Sequence, residues 1–183
     1  MRFSTISATL ALVLSANAAT MSKRAITPDV QTCINDLIAT DTQLTVVTNG
    51  VNAYTASMGY SGALAVQSQE TTLETKLTTA GTSCCKTTTT VSTEDANAVL
   101  AEVAIITPHI TAALSTIVTK KPVFDSVFLV TPLVKNDVNN LHTKTSKVIN
   151  CLIAATPADL AATAQGYATT VENAFQAAIA AYK

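Results

Sequence analysis

The chain has 183 residues with a net charge of −1; 13% of them are charged, 4% are aromatic, and none is tryptophan. That length suits one domain with a core of its own. So even a charge balance speaks against nucleic acid and anionic membranes as partners, because both need clustered Lys or Arg.

The first residues read as an export signal. Arg2 supplies the positive end, Ala8 to Leu14 the apolar stretch, and Ala16-Asn17-Ala18 the small-x-small site that signal peptidase accepts, which gives a signal peptide over 1–18. The apolar stretch is too short to span a bilayer, which needs about 20 residues, and no later run reads as transmembrane. Residues 19–24 read as a short pro-segment ending in the dibasic pair Lys23-Arg24, leaving 25–183 as one mature domain. Loss of Arg2, Lys23 and Arg24 takes eleven basic residues to eight, against twelve acids, and leaves no arginine. The tail from Ala177 to Lys183 lacks the spacer and hydrophobic end of a lipid-anchor signal, so the product is expected in the medium or the cell wall, without a membrane anchor.

The mature part predicts an all-α fold. Thr27-Pro28-Asp29 has a capping hydroxyl, a proline at the first helical position and an acid at the positive helix end. From there Val30, Cys33, Leu37, Leu44, Val47, Val51 and Tyr54 keep a three-or-four spacing, with Asp41 as a polar edge. Gly59 to Gly62 reads as a turn. A second helix carries Val66, Leu73, Leu77 and Ala80, interrupted by Glu70. Ser92-x-x-Asp95 resembles a capping box and opens a third helix through Val99, Val103, Ile106, Ile110, Leu114 and Ile117. Pro108 is expected to kink or break it, and Lys120-Lys121-Pro122 to end it. A fourth stretch from about Val123 to Ala154 is bent early by Pro132. Thr156-Pro157-x-Asp159 repeats the first cap, and a fifth helix shows Leu160, Ala164, Tyr167, Val171, Phe175 and Ala178. The outcome is an up-down bundle of about five helices.

Four cysteines in an exported chain predict two disulfides. In an up-down bundle Cys33, Cys84, Cys85 and Cys151 all fall at one end, and a direct Cys84–Cys85 bond would close a strained ring. The vicinal pair therefore reaches outward to Cys33 and Cys151. Cys84 continues the Leu73, Leu77, Ala80 stripe towards the first helix, which favours Cys33–Cys84 with Cys85–Cys151 over the reverse.

Catalytic constellations do not emerge. H-E-x-x-H, G-x-S-x-G, a phosphate-cradling glycine loop and an EF-hand pattern are all missing, so neither an enzyme nor a cofactor or metal site is expected. His109 and His142 read as surface or capping histidines, and Glu70/Glu74, one helical turn apart, as solvated. None of the mature asparagines has Ser or Thr two residues on, so N-glycosylation is not expected.

The export signal, the Thr-Pro-Asp-Val helix start at Thr27, the Gly-Ala-Leu-Ala-Val segment at Gly62, the stretch from Leu73 to Ala80 and the Leu/Val/Ala-rich remainder together resemble the fungal hydrophobic surface binding protein A family. That family includes cell-wall galactomannoproteins, and the resemblance covers essentially the whole mature chain. It implies a helical bundle that adsorbs to hydrophobic surfaces and in some members encloses a fatty acid, with no cofactor. Leu37, Leu44, Leu73, Leu77, Val103, Ile106, Ile110, Phe124, Phe128, Leu133, Leu141 and Phe175 are then the candidate lining of an apolar site. Disulfides grouped at one end would let the bundle open at the other. Two alternatives stand beside this reading: a wall mannoprotein without a small ligand, and a secreted inhibitor of the kind plants direct at invertase or pectin methylesterase. The inhibitor comparison suffers because its first two cysteines lie close together, unlike Cys33 and Cys84.

Overall fold

A computed structural model describes residues 25–86 and 89–183; the expected signal peptide and pro-segment lie outside the described residues. Helix α1 (Pro28–Ala53) begins with Pro28 in its first turn and Asp29 beside it. The Thr27 hydroxyl makes no cap bond. Its backbone N–H instead donates to Asp95 Oδ1 at 2.9 Å, which ties the start of α1 to the start of a later helix. After Ala53 the chain turns through Ala56–Met58 and enters α2 (Gly59–Cys84). Gly59 to Gly62, predicted as the turn, is thus the first turn of α2, and the break lies just before it. Gly59 allows this with φ 60, a conformation other residues adopt only under strain.

Ser92 caps α3 (Thr93–Asp125) as the sequence predicts, accepting the Asp95 N–H at 3.2 Å. The predicted break at Pro108 does not occur, and Pro122 does not end the helix either. Proline removes the hydrogen bond to the carbonyl four residues back. For Pro108 that carbonyl belongs to Ala104, and both residues are exposed, so the lost bond falls on the solvent side of the helix. Packing on both flanks holds the rest. The expected fourth helix accordingly starts later, as α4 (Val130–Ala155), and Phe124 belongs to the end of α3. Pro132 sits in the first turn of α4, where its missing N–H would have had no partner, so no bend is called for. Thr156 does not cap the last helix; its hydroxyl donates back to the Leu152 carbonyl at 2.7 Å, and α5 (Ala161–Ala181) starts at Leu160 without a side-chain cap.

The five helices close into a ring. α1 packs on α2 and α3, α2 on α4, α4 on α5, and α5 returns to α3, while α3 and α4 touch only lightly. Five helices at the usual 8–10 Å spacing place their axes about 8 Å from the ring centre, and side chains of ordinary length do not fill that hollow completely. α3 is, among the described residues, long and apolar enough by length and composition to cross a membrane, which the sequence reading had not anticipated. Here its apolar face turns into the ring.

The two ends differ. One carries the disulfides Cys33–Cys84 and Cys85–Cys151, with Cα separations of 4.7 and 5.0 Å, in the pairing the stripe argument favours. The Val91 N–H adds a bond to the Ala155 carbonyl there at 3.0 Å. The other end is plugged by aromatics. Tyr54, Phe124 and Tyr182 are all buried, the Tyr54 and Phe124 rings lie 5.4 Å apart, and the Tyr182 hydroxyl donates to the Ile117 carbonyl at 2.8 Å. Lys120 closes the C-terminus of α1 by donating to the carbonyls of Asn52 and Tyr54.

Candidate ligand-binding cavity

The hollow of the ring is a cavity of about 110 Å³ to which every helix contributes. Its apolar wall follows from the stripes: residues three and four apart on each helix face the centre. Nine of the candidates line it: Leu37, Leu44, Leu73, Leu77, Val103, Ile106, Ile110, Leu141 and Phe175. Phe124 and Leu133 line a separate cavity of about 40 Å³ nearer the aromatic plug. Phe128 lines neither. It is 84% exposed, because α3 runs on to Asp125 and leaves Phe128 in the turn to α4. Positions that the sequence reading did not select include Val148, Leu152 and Tyr167. Tyr167 lies on the stripe of the fifth helix and Val148 and Leu152 lie four residues apart on α4, so the spacing is in the sequence; the ring that turns these faces inward is not.

Threonine in the wall carried no such signal. Thr40, Thr48 and Thr107 donate their hydroxyls to carbonyls four residues back in their own helices, at 2.7–2.8 Å, so each acts as a nearly apolar wall residue. Thr145 and Tyr167, which also belong to the lining, make no such bond among the described residues. Leu100, Val103, Ile149, Leu152, Ile153 and Tyr167 are half-buried, and several lie towards the disulfide end of α3, α4 and α5. The half-buried part of the lining thus lies towards the disulfide end, while buried aromatics close the opposite end.

The smaller cavity is mostly apolar too, but acidic residues join its wall. It is bounded by Tyr54, Val66, Phe124 and Leu133, and also by Glu70 and Asp137, from α2 and α4. Glu70 is 5% exposed, so its reading as a solvated residue is corrected: it interrupts the stripe and is nonetheless buried. Burial, reinforced by the Asp137 and Glu74 charges, raises its pKa from 4.5 to about 9. Burial and the Glu74 charge raise Asp137 to about 6. Lys144 lies 3.8 Å from Glu74. The two histidines are elsewhere, each joined to a carboxylate across helices: His109 to Asp41 at 2.7 Å and His142 to Glu172 at 2.8 Å.

The sequence matches the family described as hydrophobic surface binding protein A over residues 30–154. No curated protein sequence matches the chain. Among solved structures, AFMP4P in complex with palmitic acid superposes with a TM-score of 0.78 at 29% identity, covering 84% of this chain and 99% of that one. Ligand-binding domain 1 of the Penicillium marneffei MP1 protein, complexed with arachidonic acids, gives 0.76 at 18% identity over 85% and 99%. Domain 2 of the same protein, also with arachidonic acids, gives 0.71 at 16% over 84% and 94%, and at these identities both MP1 domains attest the fold alone. With the family match spanning most of the five-helix ring, the chain belongs to the hydrophobic surface binding protein A family.

Proposed function

We propose that this protein is a secreted, non-catalytic carrier that encloses a long aliphatic chain, a fatty acid in the first instance, in the cavity at the centre of its helix ring. The observation that carries this reading is the cavity itself. Its lining along α1 runs from Leu37 to Val51, about 21 Å at 1.5 Å per residue, a length suited to an extended long-chain acyl group. The wall is almost wholly apolar, and such a site takes hydrocarbon in preference to water. The palmitic acid bound by AFMP4P, which is similar along nearly its whole length, supports the same class of guest. The nine lining residues named above would contact the chain, and Thr145 or Tyr167 would meet a polar head near the disulfide end. Two disulfides, the family and the expected leader support an extracellular or cell-wall setting.

The test is native mass spectrometry of the mature protein with lipid extraction of the same sample, followed by titration with hexadecanoic acid. A bound or titratable fatty acid supports the reading, and a clean apo mass with no uptake overturns it. Ala113→Phe checks the location. Ala113 is buried in the cavity wall, and a phenyl group there would occupy the space of the chain, lowering affinity at least about ten-fold with the helical fold retained.

A second reading, adsorption to hydrophobic surfaces, is favoured by one feature. Phe128 and Leu129 stand 84% and 50% exposed at the turn between α3 and α4. Met58 and Tyr60, at the turn into α2, are exposed at the same end.

A further inference from the structure

The small cavity is apolar save for Gln67, Glu70 and Asp137 in its lining, and the buried Glu70 carboxyl is not explained by a purely hydrocarbon guest. Val47, Val51, Ile117 and Leu141 line both cavities, so the small one lies directly against the large one on the side of the aromatic plug. A chain lying along the large cavity with its head at the disulfide end would point its far terminus towards the small cavity, whose wall includes Glu70. Glu70 is 5% exposed, and its Oε1 has no hydrogen-bond partner among the described residues. Leaving such an atom unpaired costs more than one hydrogen bond returns, which marks it as a place where a guest atom is wanted. At about 40 Å³ the cavity has room for a terminal group.

The chemistry of that group follows from the surroundings. Glu70, held protonated by its burial and by the neighbouring acids Glu74 and Asp137, presents a neutral carboxyl group. A neutral carboxyl group keeps one carbonyl oxygen as an acceptor, and Oε1 is the atom of this one left unpartnered among the described residues. A second carboxylate brought here would meet acids on two helices with only Lys144 to offset them. An ammonium group would need an ionised partner to offset its desolvation. A hydroxyl needs neither, since it is neutral and donates.

We infer that the inner end of the cavity is a hydroxyl-binding subsite, in which Glu70 accepts a hydrogen bond from the terminal hydroxyl of a long aliphatic chain. This rests on the proposed reading of the large cavity as an aliphatic-chain site. Two ligand classes present that chemistry: fatty acids hydroxylated at the end remote from the carboxyl group, and fatty alcohols bound hydroxyl first.

The experiment compares the affinities of hexadecanoic acid, 16-hydroxyhexadecanoic acid and 1-hexadecanol for the mature protein by calorimetric titration. One net hydrogen bond predicts that 16-hydroxyhexadecanoic acid binds about three- to ten-fold more tightly than hexadecanoic acid. A gain for 1-hexadecanol as well shows that the hydroxyl suffices without a carboxyl group at the mouth; a gain for the hydroxy acid alone assigns the site to that class. Glu70→Leu should abolish the preference while retaining hexadecanoic acid binding, and Glu70→Gln, which keeps the acceptor, should preserve it. Equal or weaker binding of both hydroxylated ligands by the wild-type protein overturns the subsite. Failure of all three ligands to bind overturns instead the carrier reading beneath it.

Discussion

Glu70 makes one residue legible in a bulk property. Its folded pKa, about 9, lies above the ordinary 4.5, so between those values the folded protein holds a proton that the unfolded chain has released. A raised carboxyl pKa contributes stability that is complete below the unfolded value and is lost as pH rises through the folded one. Asp137, raised to about 6, acts in the same direction over a narrower window. The urea midpoint of the mature protein should therefore fall as pH rises from about 5 to 9, and Glu70→Gln should flatten that slope. A wild-type midpoint that holds level or climbs across this range would contradict the buried, protonated carboxyl. Leu129 is a second case. Its φ of 67 places a side chain in the left-handed region, where L-residues are strained by about 1–2 kcal/mol. With half of its surface already in water, Leu129→Gly should gain stability of about 1 kcal/mol in denaturant titration, strain relief outweighing the lost contact.

Helices were the most legible level. The stripes on α1, α2 and α3 and the Ser92 cap identified both the elements and most of the wall, because an amphipathic period of 3.6 records which face is buried. What misled was proline. Pro108 reads as a break and Pro122 as an end because local rules price the lost hydrogen bond but not the flanking helices; with Pro122 inside it, α3 absorbs Phe124 and leaves Phe128 in the turn. Glu70 was visible as an interruption in a stripe, yet its burial depends on α4 crossing it, which no spacing within α2 records. The cysteines were legible because topology and stripe agreed. Each bridge closes a long stretch, 51 and 66 residues apart in sequence, and in the chain-entropy model is worth about 4 kcal/mol. Replacing Cys33 and Cys84 together by serine should lower unfolding free energy by about 2–5 kcal/mol, measured by denaturant titration with Cys85–Cys151 intact.

Taken whole, the molecule has two unlike ends, and the two proposed activities divide between them. The disulfide end holds α1, α2 and α4 together beside the half-buried rim of the cavity, so it suits ligand entry with the ring kept closed. The opposite end is sealed inside by Tyr54, Phe124 and Tyr182 and is apolar outside at Phe128 and Leu129. Adsorption through that tip would need no opening of the ring, because its apolar groups are already in water and gain about 1.5–3 kcal/mol for each large side chain buried against a surface. The double variant Phe128→Ser with Leu129→Ser should then partition onto polystyrene beads at least about ten-fold less than wild type, with hexadecanoic acid affinity unchanged. If the ring instead unfolds to spread its inner faces, the double variant adsorbs as wild type does, and the adsorbed protein loses its bound fatty acid. Measuring bead partition and retained ligand on the same sample separates a protein that touches a surface with its tip from one that turns itself inside out on it.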